Sequence, residues 1–266
     1  MNRSFSYEFI YQVVALFLAI ILVHGLYVTW IRPEAEEFFA NEVAQMQADP
    51  SHVPARSMFV IVRDFEQESC FILMLWAMAI IVAKGYKSAG ERRLLKLELI
   101  PLHEGTRILP EDAREYGRQI QAMDASKRQR LVPRSLLSAL HRFAATGNIQ
   151  NVSDTAHGVC EAESDRLESE LSMVRYIAWA IPSIGFIGTV RGIGDALGMA
   201  HKAVAGDITG VTRSLGTAFN STFIALLISI VLMFLLHQLQ LQQDRLVLDT
   251  ETYLDEHLIE HLQASK

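Results

Sequence analysis

Cysteine is scarce in this chain: among 266 residues only Cys70 and Cys160 carry a thiol, one in an apolar run and the other in a polar stretch. Neither a disulfide framework nor a thiolate metal cluster is expected from such a pair. Lysine and arginine are not gathered with aromatics into a basic footprint, and the net charge is −6, so nucleic acid is not an expected partner. The histidines are scattered, and no nucleophile, base and orienting group can be placed together, which sets enzyme activity aside. The N-terminus is nearly uncharged and the first apolar run is too long for a signal-peptide core, so a retained helix is expected in place of a cleavable leader.

What the chain has is apolar length. Half of its residues are hydrophobic, too many for an ordinary soluble domain, while 20% are charged, too many for a protein buried in lipid throughout. The expected fold is an all-α membrane protein with four transmembrane helices and a helical cytoplasmic domain. Residues 1–31 hold the N-terminus and the first span. Phe9 to Trp30 contains no Lys, Arg, Asp or Glu, and its 22 residues cover roughly 30 Å of hydrocarbon at about 1.5 Å each. Tyr11, Tyr27 and Trp30 mark the two interfaces. His24 is the one titratable group of the span and reads as an interfacial or packed histidine, with a place on a proton path as the sharper reading.

Residues 32–68 are acidic and interrupted by Pro33, Pro50 and Pro54, with an amphipathic patch from Glu36 to Met46; a periplasmic hairpin or loop is expected. The second transmembrane helix, 69–86, rests on the short run from Cys70 to Ala83, completed by Phe65, Lys84 and Tyr86, with Glu66 and Glu68 at the surface and Lys84 snorkelling. Between 84 and 171 lie fourteen of the 24 Lys and Arg, against three in 32–68, which places the long segment in the cytoplasm together with both termini.

In the cytoplasmic helical domain, 87–171, helical spacing is found in Glu91 to Ile100 and Leu131 to Thr146, with Pro101, Pro110 and Pro133 as punctuation. Ser164 to Ser172, with Leu167 and Leu171 on one face, leads into the third span. Its charges read as a solvated face, or as a docking surface. The tail, Gln238 to Lys266, is expected to prolong the fourth helix into the cytoplasm as a C-terminal helix over 241–266, with Leu239, Leu246 and Tyr253 recurring every seven residues.

The third span, Tyr176 to about Met199, and the fourth, Leu215 to about His237, carry small and polar residues where a plain anchor carries leucine. Gly188 and Gly192, with Gly185 one turn earlier and Gly194 and Gly198 repeating the spacing, leave one side of the third helix nearly bare, so a neighbouring helix can come close. No strand precedes these glycines and no P-loop lysine follows, so they are not a nucleotide loop. Pro182 removes a backbone hydrogen bond and leaves a carbonyl near Ala178 for a neighbour or water to satisfy, which makes a hinge. A lone hydroxyl in such a helix back-bonds to its own preceding turn. The cluster Thr217, Asn220, Ser221 and Thr222, with Thr189 opposite it, reads instead as a wet or partner-facing side. Neither of these spans has an acid in its middle, so the carboxylate of an ion relay would have to come from a partner.

Gly185-Phe-Ile-Gly-Thr-Val-Arg-Gly-Ile193 resembles the GLFGTVWGI signature of the MotA/TolQ/ExbB proton-channel family, and Ala218-Phe-Asn-Ser-Thr-Phe-Ile-Ala-Leu226 is similar to that family's last helix. The likeness covers roughly residues 170–240, and the order of spans matches the four-helix MotA-like plan; a channel domain over 172–240 is expected. The resemblance implies a homopentamer in the bacterial inner membrane, enclosing two helices of a small single-span partner of the MotB, TolR or ExbD type whose intramembrane aspartate carries the ion. It implies no cofactor, only transported H⁺ or Na⁺. Thr189 matches the family's third-helix threonine. The last-helix position falls on Thr222, or on Ala218 with Thr217 beside it, depending on which branch is aligned. Arg191 departs from the pattern and is expected to pair with Asp195 one turn on; Arg213 stands near where ExbB-like chains have an acid.

The reading from sequence is therefore an ion-conducting stator subunit of a membrane motor. The alternative is a structural scaffold that uses its glycine face for oligomerisation alone. Which machine is served, and whether the ion is H⁺ or Na⁺, stay open at this point.

Overall fold

The computed structural model describes residues 2–48, 55, 57–97, 99–100 and 107–264. Within them the chain is helical, and Ile108 and Leu262 make the sole β-bridge. The elements are α1 (Asn2–Leu26), a π-helical turn (Tyr27–Ile31), α2 (Arg32–Ala48), α3 (Met58–Val62), α4 (Phe65–Arg92), a 3-10 turn (Leu94–Lys96), α5 (Ala113–Gln121), α6 (Ala125–Arg128), α7 (Leu131–Thr146), α8 (Ile149–Glu170), α9 (Ser172–Gly198), α10 (Ala200–Val204), α11 (Thr209–His257) and a final 3-10 turn (Ile259–His261). Four helical stretches, Tyr7–Met46, Phe65–Lys96, Ile149–Gly198 and Thr209–His261, are long and apolar enough to cross a membrane. The protein is accordingly a multi-pass membrane protein with the four expected spans. Its residues fall into two compact units, 1–81 with 173–236, and 82–172 with 237–266.

In the first unit the apolar face of α1 closes on α4. Val23, Tyr27 and Ile31 are buried against Val62, Phe71, Ile72 and Leu75. Two interfacial side chains fasten the same pair of helices: the Trp76 indole donates to the Gln12 carbonyl at 2.9 Å, and the Tyr11 hydroxyl to the Ala79 carbonyl at 3.1 Å. The break expected at Pro33 does not occur. The widened π turn before it absorbs the missing N–H, and the helix continues as α2 through the amphipathic patch. Pro50 and Pro54 lie outside the described residues, as does Pro101. The short run from Cys70 to Ala83 is the middle of α4, whose 28 residues settle its length as a span.

The second unit has its own core, in which Leu136, Leu140 and Phe143 of α7 meet Val152, Ala156 and Cys160 of α8. Both cysteines of the chain are free and buried. Helix α7 has the expected bounds, with Pro133 in its first turn, where a missing N–H costs nothing. It stops at Gly147, whose φ of +61° is left-handed and whose N–H returns to the Phe143 carbonyl. Asn148 then opens α8, its side chain accepting from the backbone N–H groups of Gln150 and Asn151. Leu167 and Leu171 are both buried, as their spacing requires. A single turn residue, Leu171, separates α8 from α9.

Leu239, Leu246 and Tyr253 are buried along α11, so the heptad spacing of the tail describes a real packing face. The helix expected over Glu91 to Ile100 is not formed. Helix α4 ends at Arg92 and Leu97 is extended, because Tyr253 takes over the backbone there: its hydroxyl donates to the Leu97 carbonyl at 3.0 Å and accepts from the Leu99 N–H at 3.1 Å. Lys84 does not snorkel to water. Its side chain is buried and its ammonium lies 2.6 Å from Glu170.

Candidate functional site

The site lies where α9 and α11 cross within the first unit, and glycine makes the crossing close. The buried stripe of α9 runs Val174, Ile177, Ala178, Ile181, Gly185, Gly188, Gly192, Ala196, one face of a helix. A Cβ at Gly185 would stand 2.5 Å from the Ala225 Cβ. One at Gly188 would stand 2.5 Å from the Ser221 Cβ, and one at Gly192 would stand 2.7 Å from the Ser214 carbonyl. None of these separations is possible between real atoms, so the three glycines are what admits α11. Gly194 and Gly198 have open space around them and are not part of this face, although their spacing suggested it.

Pro182 leaves the Ala178 carbonyl without its helical donor, and the structure supplies one across the crossing: the Ser229 hydroxyl of α11 donates to that carbonyl at 3.1 Å. One turn on, the Cys70 thiol of α4 reaches the Ile181 carbonyl at 3.7 Å. Ser229 thus fastens the turn that proline loosens. Replacing it with alanine is expected to cost about 1 kcal/mol of unfolding free energy in a lipid-like medium, while Ser229→Thr keeps the bond. Reversible unfolding in mixed micelles measures both.

Further along the crossing, Thr189 and Thr222 come together. Their hydroxyl oxygens are in hydrogen-bond contact, Thr189 Oγ1 is 3.0 Å from the Ala218 carbonyl, and Thr222 Oγ1 is 3.0 Å from the Gly185 carbonyl. Thr189 Oγ1 also lies 3.3 Å from the Gly185 carbonyl, so two hydroxyls with two protons have four hydrogen bonds in reach: three to carbonyls and one between the hydroxyls. Either threonine can therefore donate to its partner only by giving up a carbonyl. The pair is a small exchangeable hydroxyl network at the crossing, which also holds the Ser221 and Ser229 hydroxyls.

The remaining sequence candidates divide. Ser221 is buried and back-bonds to the Thr217 carbonyl at 2.9 Å, its side chain against Gly188, which makes it a packing residue of the crossing. Ala218 is fully buried and contributes its carbonyl to Thr189. Thr217 and Asn220 are half-buried on the flank of α11, and neither side chain has a hydrogen-bond partner among the described residues.

The expected Arg191–Asp195 pair is not made. The Arg191 guanidinium instead reaches the Glu66 carboxylate of α4 at 2.8 Å, because Glu66 enters the notch left by Gly188, where its Cγ lies 3.0 Å from the position of an added Cβ. Glu66 and Glu68 are buried and not at the surface as their flanking position suggested. Glu68 is held by Arg32 and by His24, whose Nδ1 is 2.7 Å from Glu68 Oε1. His24 thus has a carboxylate partner, although its own side chain is 57% exposed. Arg213 stacks its guanidinium over Phe39 at 4.7 Å, a ring that Arg63 also faces. Two participants were missed from sequence. Ser229 reads as one more hydroxyl in a helix, and the one signal for it was the orphan carbonyl at Ala178. Glu66 reads as the polar flank of a span.

No curated protein matches the chain. Residues 127–252 match the sequence profile of the MotA/TolQ/ExbB proton channel family, which extends the likeness upstream through α7 and α8 and downstream along α11.

Proposed function

Through residues 127–252 this chain belongs to the MotA/TolQ/ExbB proton channel family, and on that footing we propose that it is the ion-conducting stator subunit of a membrane motor driven by the ion gradient. The observation that carries the reading is the Thr189–Thr222 pair: two exchangeable hydroxyls held face to face where α9 and α11 approach closely. In an apolar span such a pair offers oxygen ligands to a passing cation without the cost of a fixed charge. Thr217 and Asn220, whose side chains have no hydrogen-bond partner among the described residues, suit contact with helices of a partner.

In this reading five copies enclose a dimer of a small single-span protein of the MotB, TolR or ExbD type. The partner brings the intramembrane aspartate; this chain brings hydroxyls and packing. The protein sits in the bacterial inner membrane with both termini in the cytoplasm, transports H⁺ or Na⁺, and needs no cofactor. The flagellar, Tol or Ton, gliding and phage-defence machines use related modules and differ in the partner's outer domain.

The test is to isolate the complex from its native membrane through a tag on this chain and weigh it intact in a mass spectrometer. Five copies with two of a smaller membrane protein are expected, together with cation flux when the complex is placed in liposomes. A chain recovered without a second protein, in a complex that conducts nothing, overturns the proposal in favour of the scaffold.

A further inference from the structure

Chains of this layout are expected to borrow their carboxylate, yet this one buries a carboxylate of its own beside the hydroxyl site. Glu66 stands in the first turn of α4 with its side chain about 10% exposed. Its stem approaches the empty side of Gly188, the residue before Thr189, and the Ser221 hydroxyl comes within 2.7 Å of the same empty position. An acid and a hydroxyl therefore meet at one notch in α9, at the residue that precedes Thr189. Its neighbour Glu68 is saturated by comparison, being held by both Arg32 and His24. Among the described residues Glu66 has one cationic partner, Arg191, and the Arg191 side chain is 44% exposed.

Because Arg191 is half-exposed, it can turn to water when another cation takes its place at the buried carboxylate. Protonation, or capture of a sodium ion, replaces the guanidinium as counter-charge, and Arg191 keeps its own charge by turning to water or to an acid outside the chain. The bland reading is an ion pair that fastens the start of α4 to α9, where a first-turn acid is favoured by the helix dipole in any case. That reading explains an acid at position 66. It does not explain why the acid should enter the glycine notch next to the threonines. We propose that Glu66 is a cation acceptor on the transport path of this chain, and that Arg191 is the competing counter-ion which holds it closed between transport events. The step is balanced: a cation binds at a Glu66 carboxylate oxygen as the hydrogen bond from Arg191 opens, and its departure restores that bond. The inference rests on the transport reading above and adds to it a carboxylate in cis.

The experiment uses the whole complex in liposomes, with flux read by a pH-sensitive dye at fixed sodium and by sodium uptake at fixed pH, so that the two cations are told apart. Glu66→Gln is expected to lower flux about tenfold or more, the loss of roughly 1.4 kcal/mol of cation stabilisation. Arg191→Gln, which removes the competitor, is expected to shift the half-saturating cation concentration downward. The deciding variant is Glu66→Gln with Arg191→Gln, which removes both charges and leaves no buried ion without a partner. If the pair is only a fastener, the double variant assembles and conducts like the parent, and the inference is overturned. If Glu66 accepts the cation, the double variant assembles and stays slow, while Glu66→Asp recovers part of the flux. Full flux in variants with valine at 189 and 222 would instead defeat the underlying reading. Loss there, with full flux in the double-neutral variant, would remove this inference alone.

Discussion

Gly188→Leu is expected to abolish assembly of the protein, and Gly188→Ala to destabilise it measurably. The reason is geometric. At this position an ideal Cβ would lie 2.5 Å from the Ser221 Cβ, 2.7 Å from its hydroxyl and 3.0 Å from the Glu66 Cγ, so even one methyl forces α9 and α11 apart. Overpacking of a close crossing costs about 1–3 kcal/mol for a small insertion and more when the backbone has to move. Leucine adds three further carbons to the same notch, and the separation it requires also opens the Thr189–Thr222 contact and displaces Glu66. Gly194→Ala is the control, since the space around Gly194 is open. Size-exclusion profiles and thermal unfolding in detergent are expected to show a loss of assembled protein for Gly188→Leu, a lowered midpoint for Gly188→Ala, and neither change for Gly194→Ala.

The threonine pair has the opposite profile: a small structural effect and a large functional one. Valine has nearly the shape of threonine, so the crossing accepts it, and the carbonyls of Gly185 and Ala218 keep their places in their own helices. What is lost is the pair's own exchangeable protons and ligand oxygens, while the Ser221 and Ser229 hydroxyls stay in place. If each hydroxyl contributes about 1.4 kcal/mol to a cation in transit, each single substitution lowers flux roughly tenfold, and the double substitution lowers it further. The scaffold reading expects the reverse order of importance, with the glycines indispensable and the hydroxyls idle.

Much of this was legible in the residues because the features involved are local. Uncharged length marks a span, and α1 is obvious on that ground alone. The orphan carbonyl at Ala178 follows from Pro182 by the chemistry of one residue, and only the identity of its donor, 51 positions away at Ser229, needed the fold. The glycines at 185, 188 and 192 announce a close approach without saying to what.

Features settled by distant partners were not legible. Arg191 has an acid one turn away and still bonds Glu66, 125 residues earlier in the chain, because the Gly188 notch brings α4 within reach. The apolar spacing of Glu91 to Ile100 is compatible with a helix, and it fails there because Tyr253 offers the backbone better-placed partners. Pro33 reads as a break, and a π turn just before it absorbs the defect. In each case the local rule is sound and is overruled by a contact that sequence spacing cannot contain.

If the hydroxyls at 189 and 222 carry the ion path, removing them stops flux and leaves assembly intact. The complex is purified with Thr189→Val and Thr222→Val together, and in parallel with serine at both positions, and cation flux into liposomes is measured for equal amounts of assembled protein. Normal assembly of both, with flux nearly lost in the valine form and largely retained in the serine form, is the expected result. A valine form that assembles and conducts at the parental rate would contradict the account.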